Sequence, residues 1–235
     1  MIGSTLTISV AATVLCITCI TPAAFGDEPA RKLAQSESTD VARFSPGGII
    51  RLVSSCGELM IEGWDRQEVE TTVVKWIDHE VEPSRMAETT QRLESAKVTI
   101  EHISGGEIKL STVKPLRQIK IKYHIYAPRD ARIAVDHHGG YVLVTGMTGD
   151  IDVANRSGDI VLMLPDPASY AIDARDKFGV VALDDGTATH KYLLGEQFTR
   201  DRQAPAHHMT LRMGFGGITI KEVPAEGEAP ARGAR

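Results

Sequence analysis

Asp150, Asp152 and Asp159 are the residues whose type and spacing offer the plainest chemistry in this chain. Asp150 and Asp159 each follow a glycine and stand nine residues apart. On stacked strands, equivalent positions would bring two carboxylates together, and like charges there must be solvated, offset in register or bridged by a cation. Calcium is the hard, oxygen-seeking ion such a ladder would hold. The nine-residue calcium repeat, Gly-Gly-x-Gly-x-Asp-x-apolar-x, is not met, because its paired glycines are missing and Tyr141 stands where the first aspartate belongs. The expectation is a solvated acidic face, with a calcium site as the sharper alternative.

Histidines offer a second chemistry. His137-His138 and His207-His208 are adjacent pairs, and neighbours on a strand point to opposite faces, so neither pair chelates a metal alone. A zinc or copper site would need one member of each pair to meet, with His102 or His124. Asp173, Arg175, Asp176 and Lys177 form a charged cluster like those of β-helical polysaccharide enzymes, and a charged turn between strands explains it as well. Cys56 is the only cysteine after residue 19, has no disulfide partner, and reads as a small hydrophobe at a strand end. The chain lacks a Gly-x-Ser-x-Gly elbow, a phosphate loop ending in Gly-Lys-Ser/Thr and a dinucleotide glycine fingerprint. No cofactor is implied.

The elements that must position these residues are announced by glycine. Gly140-Tyr141-Val142-Leu143-Val144, Gly149-Asp150-Ile151-Asp152-Val153 and Gly158-Asp159-Ile160-Val161-Leu162 share an aliphatic residue at their third and fifth positions. That is period-two alternation after a turn, the pattern of a short strand with one buried face. The same five-residue pattern begins at Gly48, Gly57, Gly106, Gly179 and Gly216. Rungs this short cannot bury a face alone, so neighbours stacked about 4.8 Å apart would share an aliphatic column. Longer strands are expected over Val69–Trp76, Ala96–Ile103, Gln118–Tyr126, Ala131–Asp136, Tyr170–Ala174 and His208–Met213. One helix is expected over Ser84–Ser95, with Ser84 as its N-cap. The fold class is therefore all-β: a solenoid-like or β-helix-like stack of short glycine-initiated strands with one short helix.

Ile61-Glu62-Gly63-Trp64-Asp65-Arg66-Gln67-Glu68-Val69 resembles the Gly-Trp-Asp-x-x-x-Val turn of the putative adhesin family, whose members are exported bacterial β-strand-repeat proteins. Tyr126-Ala127-Pro128-Arg129-Asp130 and the Gly-Asp-Ile rungs are similar to that family's second half, so the resemblance runs over roughly residues 45 to 222. It implies a β-repeat fold and an envelope location. Its motif residues, Gly63, Trp64, Asp65, Gly140, Gly149 and Gly158, are structural, and no catalytic residue carries over. Trp64 is expected to anchor its turn to the core rather than to stack on a sugar.

Residues 1–26 carry no charged side chain, an apolar centre from Leu6 to Ile20, and Ala24-Phe25-Gly26 at a cleavage position. They read as a signal peptide, or as an anchor if retained. Residues 27–42 read as a polar linker, 43–223 as the β-repeat domain and 224–235 as a disordered tail. With 26 Lys and Arg against 31 Asp and Glu, the net charge of −5 argues against nucleic acid as a partner. The function expected is a non-catalytic, exported envelope module of periplasm or cell surface, binding glycan or protein, with no transmembrane span after cleavage. A periplasmic scaffold and a polysaccharide-active enzyme are the alternatives. The acidic face of Asp150, Asp152 and Asp159 is the expected contact surface, because it repeats.

Overall fold

The computed structural model describes residues 34–54, 56–77, 79–104, 106–112 and 119–224. Among them the chain forms β1 (Gln35–Arg43), β2 (Ile49–Ser54), β3 (Gly57–Trp64), β4 (Glu68–Ile77), α1 (Met86–Ser95), β5 (Val98–Ser104), β6 (Glu107–Thr112), β7 (Ile119–Pro128), β8 (Arg132–His137), β9 (Gly140–Thr145), β10 (Ile151–Leu164), β11 (Tyr170–Leu183), β12 (His190–Tyr192), β13 (Gly195–Arg200) and β14 (His207–Glu222). These strands join in one mixed sheet, with one short helix beside it. The expected signal peptide (1–26) lies outside the described residues, and so does the expected tail from residue 225 onward.

The chain pairs in rungs of two limbs. A first limb runs into a kink and continues as a second limb, and like limbs pair in parallel. The first limbs lie in the order β6, β2, β8, the start of β10, the start of β14, the start of β11. The second limbs follow the same order as β7, β3, β9 and the ends of β10, β14 and β11. In chain order the first two rungs are exchanged, and so are the last two. The all-β class with one short helix therefore stands, as an open mixed sheet rather than a coil wound in strict chain order.

Burial follows the alternation read from sequence. Ile108, Ile50, Ile133, Ile151, Met209 and Ile172 are successive partners down the first limbs and are all buried. Leu59, Val142, Ile160, Ile218 and Val181 form the matching buried column on the second limbs. Each buried aliphatic side chain contributes about 1.5–3 kcal/mol relative to exposure, so shared columns hold rungs that are too short to be stable singly.

The kinks are marked by glycines in register: Gly57 pairs with Gly140, Gly140 with Gly158, Gly158 with Gly216, and Gly216 with Gly179. Gly57, Gly140, Gly158 and Gly216 have φ of 132°, 123°, 116° and 145°. A Cβ on Gly158 would lie 2.0 Å from the Gly140 carbonyl oxygen, and one on Gly216 would lie 1.6 Å from that of Gly158. Only glycine meets both demands, the backbone conformation and the close approach.

Three expectations need correction here. Gly140, Gly149 and Gly158 do not share one column, although their spacing is uniform. Residues in register here are eighteen apart, as in the Gly140–Gly158 and Ile133–Ile151 pairs, so a nine-residue step falls half-way between matching positions. Gly149 sits at the opposite corner, where a Cβ would meet the Ala131 carbonyl oxygen at 2.3 Å. The polar linker expected over 27–42 is in part a strand: β1 pairs antiparallel with β4 through nine residues. Its side chains are mostly exposed, so backbone hydrogen bonding holds it and no apolar alternation advertises it. The helix begins later than expected, after a 3-10 turn at Pro83–Arg85, with Arg85 as its N-cap and no side-chain cap. Ser84 lies within that turn, where Pro83 presets the backbone.

Candidate functional site

Just before each kink, the last inward position of the first limb is polar in most rungs. Ser54, His137, Asn155, Met213, Asp176 and Glu196 are successive cross-strand partners, and all are buried. Buried polar groups need partners, and here they serve the corner backbone. His137 Nε2 donates to Gly57 O at 3.1 Å and Asn155 Nδ2 to Gly140 O at 2.9 Å. Asp176 accepts from the Phe178 N–H at 3.0 Å, and Glu196 from the Val181 N–H at 3.1 Å. Burial lowers the His137 pKa below its ordinary 6.5, against the raising effect of its backbone partners. Burial raises the Asp176 carboxyl above its ordinary range. Burial also works to raise Glu196, but bonds from Val181, Thr189 and Lys191 outweigh it and lower the pKa.

The outer side of the same corner carries a different set. Asp136, Ala154, Arg212, Arg175 and Gln197 are successive partners pointing away from the core. Two residues further along the chain from Asp136, Ala154 and Arg175 come His138, Arg156 and Lys177. Arg156 lies against Gly214, where a Cβ would meet the Arg156 carbonyl oxygen at 2.4 Å. A recess of about 640 Å³ opens here, lined by Arg175, Lys177, His190, Tyr192, Gln197, Arg212 and Met213. A second, of about 330 Å³, shares Arg212 and Met213 with it and continues along the corner past Arg156, His138 and Asp136.

Three of the cations are held in a defined way. Arg212 donates to Asp173 O at 2.8 Å and forms an ion pair with the Asp173 carboxylate, so it is both placed and neutralised. Arg175 is placed by an uncharged partner, donating to Gln197 Oε1 at 3.1 Å, and keeps its full charge. Lys177 Nζ lies 5.8 Å from the Phe178 ring centroid, a cation–π arrangement. Tyr192 O–H donates to Asp176 O at 2.7 Å, which fixes the β12–β13 hairpin beside the recess. The corner therefore gathers Arg156, Arg175 and Lys177 with no carboxylate ion pair among the described residues, on a chain whose net charge is −5.

The residues singled out by sequence fall elsewhere. Asp150 precedes β10 and accepts from the His208 N–H at 2.8 Å, with His207 Nδ1 at 3.9 Å. Asp152 is exposed on the first limb, between Ala134 and Thr210. Asp159 is exposed on the second limb, between Tyr141 and Gly217. They do not form the in-register ladder expected, because residues in register here are eighteen apart and Asp150 and Asp159 are nine apart. No group of three or more metal-ligating side chains is assembled among the described residues. In the first histidine pair His137 is buried and His138 exposed, and in the second His207 is half-buried and His208 exposed. His102 lies beside Asp40 at 3.1 Å and His124 beside Glu62 at 3.3 Å. Cys56 is half-buried between β2 and β3.

The Gly63-Trp64-Asp65 turn is clamped from several sides. Trp64 Nε1 donates to Glu68 O at 2.8 Å, its ring stacks on Tyr126 at 5.3 Å, and Asp65 pairs with Arg129 at 2.9 Å. A Cβ on Gly63 would lie 2.4 Å from the Gly146 carbonyl oxygen. Asp173, Arg175, Asp176 and Lys177, expected as a charged turn, lie instead inside the continuous strand β11. Alternation sends Asp176 inward and Arg175 outward. The signal for the cationic corner, Arg175 opposite Arg212, is a pairing across 37 residues of sequence that spacing does not reveal.

No protein-family model matches this chain, and no curated protein matches it. Among solved structures, it is similar to a putative cell adhesion protein from Clostridium sporogenes, at 12% identity and a TM-score of 0.47, over 80% of this chain and 100% of that one. A putative adhesin from Bacteroides fragilis aligns at 8% identity and a TM-score of 0.27, over 80% of this chain and 97% of that one. One from Parabacteroides merdae aligns at 10% identity and 0.23, over 80% and 96%. These names match the family that the Gly63-Trp64-Asp65 turn and the glycine rungs resemble.

Proposed function

We propose that this chain is a non-catalytic binding module exported to the cell envelope, and that its cationic corner is the surface that holds the partner. The stacked rungs serve as a short solenoid-like scaffold, stiffened by the glycine kinks and the shared aliphatic columns. The observation that carries the reading is the pair of adjoining corner recesses: Arg175 and Lys177 line the first with Arg212 and Tyr192, Arg156 lines the second, and these three cations lack carboxylate partners among the described residues. Leaving cations unpaired on a net acidic protein costs nothing in water but focuses positive potential in a cleft, which draws an anionic ligand. Arginine presents paired N–H donors that fit carboxylate, sulfate or phosphate groups. Sequence supports export through the uncharged leader of residues 1–26. Among the described residues no helix is long and apolar enough to cross a membrane.

The test uses the full chain as its host processes it. Mass measurement reports leader removal, and titration with dextran sulfate against neutral dextran reports the corner. Saturable binding to the polyanion alone, weakened by salt and by Arg175→Glu with Lys177→Glu, is the expected result. Equal affinity for both polymers, or a polyanion affinity untouched by charge reversal, would remove the corner from the reading.

A further inference from the structure

Beside the cationic corner the surface turns apolar. The β12–β13 hairpin is closed by Leu193 and Leu194, with Tyr192 paired to Gly195 across the turn. Two-residue hairpin turns favour asparagine, aspartate and glycine for their backbone freedom, and nothing in turn geometry asks for leucine. Here two leucines stand 99% and 62% exposed. The hairpin is seated on β11: a Cβ on Gly195 would meet the carbonyl oxygens of Asp176 at 2.2 Å and Lys177 at 2.6 Å. The next residue of β11, Phe178, stacks on Phe215 with ring centroids 4.6 Å apart. Phe215 and Val180 are 55% and 56% exposed. One surface thus joins a projecting dileucine tip, a stacked aromatic pair and the cations Lys177 and Arg175, with Lys177 lying over the Phe178 ring.

We infer that this corner docks on an anionic lipid surface, the leucine tip entering the acyl boundary while Arg156, Arg175 and Lys177 meet the headgroups. The inference rests on the cationic corner being the binding surface and names what that surface meets. Charge complementarity selects the occupant: an apolar finger alone fits many partners, but a finger flanked by the unneutralised Arg175 and Lys177 matches an interface that is apolar below and negative above. A soluble polyanion would engage the cations and leave Leu193 and Leu194 in water.

The experiment separates the two readings. The full processed chain is sedimented with vesicles of phosphatidylcholine containing phosphatidylglycerol, and with vesicles of phosphatidylcholine alone. Dextran sulfate binding is measured in parallel. The wild type is expected to bind the anionic vesicles, to weaken about fivefold for each cation removed, and to weaken roughly tenfold or more in Leu193→Ser/Leu194→Ser. That double variant should keep its dextran sulfate affinity, which also reports that it is folded. Leu193→Trp should shift its emission to the blue on anionic vesicles only. Vesicle binding unaffected by the leucine changes overturns the inference. Dextran sulfate binding without vesicle binding overturns it too, while the cationic corner stands. Loss of both in the wild type overturns both.

Discussion

At one end of the rung stack, β6 is followed by the antiparallel strand β5, and β7 by the antiparallel strands β4 and β1. Helix α1 lies against β1 and β4, with Leu93 fully buried and Lys75 Nζ donating to Leu93 O and Ala96 O at 3.4 and 2.9 Å. At the other end, only the first limb of β11 is followed, by β13 and β12. The second limb of β11 pairs with β14 on one side and, among the described residues, with no strand on the other. The free side is guarded by a side chain, the Glu196 carboxylate on the Val181 N–H. At the first end the rungs are extended by antiparallel strands and a helix, whereas at the other an edge closed by one carboxylate stays near the surface with Phe178 and Val180 on view. One end of the molecule is finished for stability, and the other is left available for contact.

The strongest way to break this contrast is to strike the kink that both ends share. Gly158→Ala forces a side chain at φ 116° into the Gly140 carbonyl, and should cost roughly 3 kcal/mol or more, lowering the midpoint of urea unfolding for the whole stack. A loss under about 1 kcal/mol would mean the kinks relax freely. At the closed end, Leu93→Ala should cost about 2–5 kcal/mol by opening a cavity beneath α1, and should leave dextran sulfate binding at the far corner intact. At the open end, Glu196→Ala leaves the Val181 N–H without its partner. It should cost about 1–3 kcal/mol and raise self-association, read as a concentration-dependent mass in sedimentation. A variant that stays as monodisperse as wild type would deny Glu196 its guarding role.

The smallest effect sharpens the contrast between the inner and outer sides of the corner. Burial depresses the pKa of His137, so at acid pH the unfolded chain binds more protons than the folded one. Stability present above the ordinary 6.5 is then lost as pH falls through it towards the depressed value. His137→Asn keeps a donor for Gly57 O, as Asn155 does for Gly140 O, but cannot titrate. The variant's melting temperature should fall less than that of wild type between about pH 7 and pH 5. Parallel pH profiles would assign the acid loss to other groups.

Where strands pack a face, the sequence is legible. All eight glycine-led segments lie in or lead into strands, and Val69–Trp76 is found within β4. Alternation is visible because one face must be apolar. β1 is hidden because an edge strand is held by backbone bonds that any composition supplies, and its residues look like a linker. The charged run in β11 misleads for a related reason: Asp176 is buried through a bond to the Phe178 N–H, so a core position is written with a charged residue. The aspartates mislead because a nine-residue period is the length of one limb and its turn, and sequence cannot say whether the chain closes its coil after one limb or two.

By itself, then, the sequence determined local matters: which segments are extended, which of their faces are apolar, and where glycine must permit a kink. Those follow from the sterics of single residues and the two-residue period of a strand. The tertiary structure decided the eighteen-residue register between neighbouring strands, the exchange of the first and last pairs of rungs, and the meeting of Arg175 with Arg212 beside an exposed leucine tip. Parallel pairing is set by which long-range register buries the most aliphatic surface and satisfies the corner carbonyls, and that sum runs over the whole stack rather than over any one segment.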